Sequence, residues 1–142
     1  MEQELSKELV DKIKGLKLAF TDKPQPELLI RIPNRNTEVD YEVADVTSEF
    51  TSLCPLNMTQ PDSATLYIKY KPKKYLVELK SLKMYLASYR MTPIFHEEVP
   101  ARILLAISAL LEPVWLEVTG VFTVRGGIQT TVRAIYQDGT KK

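Results

Sequence analysis

The sequence is short of the residues that most metal and disulfide chemistry requires. It contains one cysteine and one histidine among 142 residues. A single cysteine cannot form an internal disulfide, which suits a reducing compartment. One thiolate and one imidazole also cannot supply a zinc site of the usual kind, and no acidic cluster has the spacing of metal ligands. We therefore predict a protein without a bound metal.

An excess of charge of one sign is lacking as well. Lys and Arg total 19 against 18 Asp and Glu, which leaves a net charge of +1. A protein that holds a phosphate backbone is usually far more basic, so direct binding of nucleic acid is not expected. Neither GxxxxGK[ST] nor GxGxxG occurs, so P-loop and Rossmann nucleotide sites are not indicated.

Long hydrophobic runs are also missing. The longest, residues 103–111, falls well short of the roughly 20 residues of a membrane-spanning helix. The N-terminal segment MEQELSKELVDK mixes acids and bases where a signal peptide needs an apolar core. Hydrophobic residues make up 44% of the chain and charged residues 26%, as in ordinary soluble proteins. We expect a cytoplasmic protein with one domain and no membrane contact.

What the chain does contain is a clear order of periodic segments. Apolar residues at helical spacing from Leu5 to Leu16 predict a short amphipathic helix, which the prolines of TDKPQPE end. Extended segments are predicted at 27–33 and 39–51. A strand is predicted from Ala64 to Lys71, with YLVELK at 75–80 as its hairpin partner.

Two helices and two strands complete the prediction. Leu82 to Tyr89 and Ile103 to Leu111 each carry one apolar face, and strands are predicted at Val114–Thr123 and Ile128–Tyr136. The order of strands, two helices and strands has no parallel crossover pattern. It predicts an α+β fold, in which an antiparallel sheet carries both helices on one face.

The segment EFTSLCPLNMTQPD holds the single cysteine. A free cysteine is most often a buried, inert, small hydrophobe. Here Ser52 precedes Cys54, and a polar connector follows as far as Asp62, so the sulfur is expected in a loop at a strand end, where nucleophiles often lie. A carboxylate eight positions on can fold back to transfer a proton near a bound electrophile. Both interpretations stay open on this segment alone.

Three further segments allow a plain and a functional interpretation. In FHEE, His96 is either solvent-facing or handles protons, and Glu97 either begins a helix or binds the N–H groups of a guanine-like edge. Lys80 and Lys83 share one face at a helix start, which forms either a solvated basic surface or a seat for phosphate. The glycines after Arg125 form either a plain hairpin turn or a close backbone approach to a ligand.

Taken together and in this order, EFTSLCP with QPD, ELKSLKMY, FHEE and RGGI resemble the NADPH-dependent 7-cyano-7-deazaguanine reductases of queuosine biosynthesis, the QueF nitrile reductases. The resemblance is to the short, single-module type and covers roughly residues 38–130. It implies a tunnelling fold at 23–142, with 1–22 as a helical extension. It also implies a homo-oligomer of paired rings, a decamer, with active sites at subunit interfaces.

The resemblance also implies a role for each motif residue. Cys54 would be the nucleophile that forms a covalent thioimide, Asp62 the proton donor, and His96 a neighbour of the substrate, the free base 7-cyano-7-deazaguanine. The residues implied to bind the substrate are Val77, Glu78, Leu79, His96 and Glu97. The residues implied to bind NADPH are Leu79, Lys80, Lys83, Arg125 and Gly126.

Two alternatives remain at this point. An amidinotransferase-like branch of the same fold modifies the same nitrile in tRNA without a redox cofactor. It shares the cysteine and the aspartate but lacks the lysine signature, so ELKSLKMY favours reduction. The other alternative is a ring-forming module that binds the purine without catalysis.

Overall fold

The computed structural model describes residues 5–139 of the chain. Within this range the helices are α1 (Lys7–Lys14), α2 (Leu79–Ala87) and α3 (Glu98–Leu111). The strands are β1 (Arg31–Pro33), β2 (Val43–Leu53), β3 (Pro61–Lys71), β4 (Tyr75–Val77), β5 (Trp115–Phe122) and β6 (Thr131–Gln137). No helix within these residues is long and apolar enough to cross a membrane.

The main sheet consists of four antiparallel strands in the order β2-β3-β5-β6. Every second residue of β3 from Asp62 to Tyr70 is buried, because successive side chains of a strand point to opposite faces. The buried face packs against α2 and α3, with Leu66, Ile68 and Ile103 completely inside the core. Both helices therefore cover one face of an antiparallel sheet, as the sequence predicts.

The hairpin predicted between β3 and β4 is wrong. β4 pairs instead with β1, in a separate antiparallel ribbon that joins Arg31 to Val77 and Pro33 to Tyr75. Both edges of β3 are already occupied by β2 and β5, so no hydrogen-bonding edge remains for β4. Asn34 fixes the alternative pairing, because its backbone N–H donates to the carbonyl of Lys74 at 2.8 Å.

Several element boundaries also differ from the prediction, among them the starts of β2 at Val43 and of β6 at Thr131. The extended segment at 27–33 is a strand only at its end, because a short 3₁₀ helix occupies Pro26–Leu28. Residues 79 and 80 belong to α2 rather than to a strand, because the side chain of Glu78 accepts hydrogen bonds from the first backbone N–H groups of this helix. β3 begins at Pro61, three residues earlier than expected, so Asp62 lies within a strand.

Helix α1 is amphipathic and lies on the surface. The hydroxyl of Ser6 caps its N-terminus by accepting from Leu9 N–H at 3.1 Å, and none of its residues is buried. At its other end the ammonium group of Lys80 donates to the carbonyls of Ile13 at 3.2 Å and Lys14 at 3.5 Å. This contact joins the N-terminal helix to the start of α2.

Candidate functional site

The cysteine lies where β2 ends. Cys54 is half-buried, and its backbone N–H donates to the carbonyl of Gln60 at 3.1 Å, which extends the β2–β3 pairing by one residue. Ser52 lies directly opposite Asp62 in this ladder. Cys54 and Asp62 are therefore diagonal neighbours on one sheet face, with Cα atoms about 7 Å apart. The structure brings together the thiol and the acid that the sequence analysis selected.

The carboxylate of Asp62 is buried and has two nitrogen neighbours. Asp62 is 5% exposed. One oxygen, Oδ1, lies 2.9 Å from Nη2 of Arg125, and the other, Oδ2, lies 3.4 Å from Nε2 of His96. The Arg125 guanidinium also donates to the carbonyl of Pro61. A buried charge needs such partners, and Arg125 supplies the opposite charge.

His96 reaches Asp62 because the loop between α2 and α3 is attached to β2. The backbone N–H of Leu53 donates to Thr92 at 3.0 Å, and Ile94 donates back to Leu53 at 3.1 Å. The imidazole of His96 then stacks on Phe122 at the end of β5, with ring centroids 4.0 Å apart and planes at 8°. The residue before Cys54 thus anchors the loop that carries His96.

Arg125 is aimed by a tight turn between β5 and β6. Its N–H donates to the carbonyl of Ile128 at 2.8 Å, and Ile128 donates back at 2.9 Å. Gly126 and Gly127 both have positive φ, 56° and 79°, as a two-residue type I′ hairpin loop requires. Arg125 therefore contacts Asp62 instead of pointing freely into solvent, and the sequence contained no signal for this partner.

Glu97 lies immediately after His96, at the N-terminus of α3. It is exposed, and its side chain makes no capping hydrogen bond to the helix. A carboxylate in this position can accept two N–H donors from a ligand that lies beside His96. Cys54, Asp62, His96, Glu97 and Arg125 form a group that we call the cysteine cluster.

Val77, Glu78, Leu79 and Lys80 form a second group, which we call the α2 cluster. The backbone N–H of Val77 donates to the buried hydroxyl of Tyr70 at 3.2 Å, and burial raises the pKa of Tyr70 to about 12. Glu78 accepts from the N–H groups of Lys80 at 3.0 Å and Ser81 at 2.7 Å. Val77, Glu78 and Leu79 line a pocket of about 590 Å³ together with apolar residues of α1.

Lys83 lies one turn further along α2, on a groove between this helix and β2. The groove has a volume of about 370 Å³, and Leu79, Lys83 and Arg90 line its helical side. Asp45 lies on the β2 side of the groove, and burial raises the pKa of its carboxyl. Its Oδ2 atom has no hydrogen-bond partner within residues 5–139. Sequence reasoning did not select Arg90 or Asp45.

The two clusters lie at opposite ends of the sheet. Asp62 is the second residue of β3, whereas Tyr70, whose hydroxyl binds Val77, lies eight residues along the same strand. At about 3.3 Å per residue the clusters are about 26 Å apart. One chain therefore does not bring all the predicted site residues together. In the part of the chain that the structure describes, no group of three or more His, Cys, Asp or Glu could hold a metal ion.

Comparison with known proteins identifies relatives of this chain. A family described as QueF-like protein matches residues 61–141. The chain is 49% identical over 109 residues to the NADPH-dependent 7-cyano-7-deazaguanine reductase of Thermomicrobium roseum, covering 77% of this chain and 84% of that protein. It is 46% identical over 124 residues to the reductase of the same name from Helicobacter acinonychis, covering 87% and 83%.

A solved structure supports the fold. The crystal structure of the archaeosine synthase QueF-Like in the apo form matches with a TM-score of 0.63 and 26% identity, covering 70% of this chain and 96% of that one. The fold and the site thus define an α+β protein of the tunnelling-fold class, with a thiol beside a buried acid. The chain belongs to the family of NADPH-dependent 7-cyano-7-deazaguanine reductases, which confirms the resemblance.

Proposed function

We propose that this protein reduces the nitrile of 7-cyano-7-deazaguanine to the aminomethyl group of 7-aminomethyl-7-deazaguanine, in queuosine biosynthesis. The observation that carries the proposal is the half-buried thiol of Cys54 diagonally beside the buried carboxyl of Asp62. Conversion of a nitrile to an amine takes four electrons, so two molecules of NADPH are consumed in sequence. The relatives' names specify this cofactor and this substrate.

Cys54 acts as the nucleophile and Asp62 as the acid. When the nitrile is bound, the thiol of Cys54 gives its proton to the Asp62 carboxylate, and the resulting thiolate adds to the nitrile carbon. An S–C bond forms while one π bond of the C≡N group breaks. The nitrogen takes the proton of Asp62, which gives a thioimide with no net oxidation or reduction. His96, 3.4 Å from Asp62, is placed to return a proton to this acid. A free thiol fits a reducing compartment, and we place the reaction in the cytoplasm.

Substrate binding is assigned to both clusters. Glu97 accepts two hydrogen bonds from the guanine-like edge, and Val77, Glu78 and Leu79 contact the base from the α2 cluster. His96 lies beside the ring. This assignment uses the free carboxylate of Glu97 and the exposed side chain of Leu79.

NADPH supplies hydride when it is bound, and the start of α2 has the groups to hold its phosphates. Lys80 and Lys83 are exposed near the positive end of this helix dipole, and Leu79 lies beside them. Lys80 already binds the end of α1, so a phosphate must replace that contact. Arg125 and Gly126 contribute from the other end of the sheet, because an arginine carries five N–H donors and can bind Asp62 and a phosphate together.

A complete site requires more than one copy of the chain. The cysteine cluster and the α2 cluster are too far apart within one chain to contact one base. We propose a homo-oligomer in which the cysteine cluster of one copy faces the α2 cluster of the next. Among the described residues, β2 and β6 are the outer strands of the four-stranded sheet, and their outer edges can extend the sheet between copies. The expected assembly is a decamer made of two paired rings. Residues 23–142 are its repeating domain, and 1–22 are an extension.

A second candidate is the amidinotransferase-like reaction on the same nitrile in tRNA. It is favoured by the similarity to the archaeosine synthase. The 26% identity to that protein is lower than the 49% identity to a reductase, and Lys80 and Lys83 suit a phosphate-bearing cofactor. Reduction is therefore the better supported of the two.

The test is intact-protein mass spectrometry with 7-cyano-7-deazaguanine. We expect the wild-type chain to gain the mass of one molecule of 7-cyano-7-deazaguanine. The adduct should disappear when NADPH is added, and two NADPH should be oxidised for each nitrile group reduced. Cys54→Ala should show neither adduct nor turnover. Cys54→Ser serves as a matched control, because it keeps the shape but is a much weaker nucleophile.

Three results would contradict the proposed reaction or favour one of the alternatives. Reduction by the Cys54→Ala variant would exclude the covalent mechanism. An amidine formed on tRNA with ammonia and without NADPH would favour the second candidate. Binding of the nitrile without a mass shift in the wild-type chain would indicate a module that only binds the purine.

A further inference from the structure

The hydroxyl of Ser52 is buried without a partner next to the cysteine cluster. Ser52 is 0% exposed, and its Oγ makes no hydrogen bond to any of residues 5–139. Most buried polar groups are hydrogen-bonded, because a hydroxyl loses its water on burial and recovers that energy only from a partner. An unpaired hydroxyl at this depth therefore needs an explanation.

The strand register places this hydroxyl beside both reacting side chains. Ser52 lies opposite Asp62 and two residues before Cys54 on the same sheet face. Leu53 uses its N–H and carbonyl on Thr92 and Ile94, away from β3. Ser52 and Asp62 therefore form a hydrogen-bonded pair of the ladder, with Cα atoms about 5.5 Å apart.

Asp62 has room for another donor. Arg125 lies on Oδ1 and His96 on Oδ2, whereas an ionised carboxylate offers about four acceptor positions. A serine hydroxyl can change its χ1 rotamer, and the side chain opposite Ser52 in the ladder is Asp62. Hydrogen bonds between catalytic groups are often long in ligand-free structures and shorten in the reacting complex.

We propose that Ser52 is a positioning residue that donates its hydrogen bond to Asp62 as this acid loses its proton. The inference rests on the proposed function. When the Cys54 sulfur adds to the nitrile carbon, the proton of Asp62 moves to the nitrogen and a carboxylate remains. The hydroxyl of Ser52 then gains a charged acceptor. Because this bond is stronger to the carboxylate than to the protonated acid that precedes it in the step, it speeds thioimide formation without tightening the binding of the nitrile.

The test compares Ser52→Thr with Ser52→Val, two side chains of the same shape with and without the hydroxyl. The rate of adduct formation is measured in a single turnover without NADPH. Non-covalent affinity for the nitrile is measured for both variants in a Cys54→Ala background. We expect the valine variant to react about tenfold to a hundredfold more slowly than the threonine variant, as for a lost hydrogen bond to a charged group. Their affinities should agree, and the valine variant should melt no lower than the threonine variant, because it lacks the unpaired hydroxyl.

Ser63→Ala is the matched control. Ser63 follows Asp62 on β3 and pairs with Thr51, so it lies on the opposite face of the sheet and should leave the rate unchanged. Equal rates for the valine and threonine variants would overturn the role of Ser52, since packing alone would then explain any slowing. No adduct in the wild-type chain would instead overturn the proposed function, and this role with it.

Discussion

The buried carboxylate of Asp62 shows how much of the site depends on single side chains. It is 5% exposed and lies 2.9 Å from the Arg125 guanidinium. A buried charge that loses its partner is costly, because neither water nor another ion replaces the lost interaction. Arg125 therefore holds the acid in place in addition to any contact with the cofactor.

We expect Arg125→Ala to lower the free energy of unfolding by about 2 kcal/mol, as for loss of a hydrogen bond to a charged group. Denaturant unfolding measures this change. In a chain that already carries Asp62→Asn, Arg125→Ala should lower the free energy of unfolding by clearly less, because the charge that Arg125 binds is already gone. Equal losses in both backgrounds would show that Arg125 does not stabilise Asp62.

Asp45 gives a pH-dependent prediction. Burial raises the pKa of its carboxyl, and Oδ2 has no partner among the described residues. Folding then disfavours the ionised form, so the penalty is present at neutral pH and disappears as the pH falls below the ordinary value of 3.8. We expect Asp45→Asn to stabilise the protein by about 1 kcal/mol at pH 7.

Denaturant unfolding of the wild type and of Asp45→Asn at several pH values tests this sign. The advantage of the variant should vanish near pH 3, where both side chains are neutral. Glu49→Gln is the control, since Glu49 lines the same groove from an exposed position on β2. An advantage of Asp45→Asn that does not change with pH would contradict the explanation.

Among the structural elements, the turn between β5 and β6 acts most directly on the site, because it carries Arg125. Gly126 and Gly127 both adopt positive φ, and a Cβ at either position would meet no atom within 4 Å. A substitution there is therefore strained by backbone conformation and not by crowding. The turn directs Arg125 toward Asp62 from a different part of the chain.

We expect Gly127→Ala to lower the free energy of unfolding by about 1–2 kcal/mol, the cost of a left-handed conformation for a residue with a Cβ. Gly127→Asn should cost less, because asparagine tolerates this conformation better. Denaturant unfolding measures both variants. If alanine and asparagine cost the same, conformational strain is not the cause.

For the molecule as a whole, the main feature is the separation of the two clusters along β3. Asp62 lies at one end of this strand, and Tyr70, which binds Val77, lies at the other. A planar base spans only a small part of the distance of about 26 Å between them. Catalysis by a single isolated chain is therefore not expected.

Mixing two inactive variants tests this arrangement. Cys54→Ala disables the cysteine cluster and Glu78→Gln the α2 cluster. When the two are unfolded, mixed equally and refolded together, about one quarter of the sites should combine two intact clusters, so about a quarter of wild-type activity should return. The matched control mixes Cys54→Ala with Asp62→Asn, which damage the same cluster and should restore no activity.

Activity in the control mixture, or none in the first mixture, would contradict a site shared between copies. The first mixture should also lose its activity on dilution, if dilution separates the copies. Sedimentation under the same conditions shows whether assembly and activity decline together.

The amino-acid sequence by itself determined the elements and their faces. Alternating apolar residues in β3 and helical spacing in α3 are local patterns that bury one side of each element wherever it packs. The motifs of the family are also short local stretches of sequence, so the sequence alone points to Cys54, Asp62 and His96. The predicted α+β sheet with two helices followed from these patterns.

Only the tertiary structure decided which distant segments meet. β4 pairs with β1 because β2 and β5 already occupy both edges of β3, and no local pattern encodes that competition. The contact of Arg125 with Asp62 and the register of Ser52 depend on loops that close through space. Strand partners are chosen by the whole sheet, so the separation of the two clusters could be known only after folding.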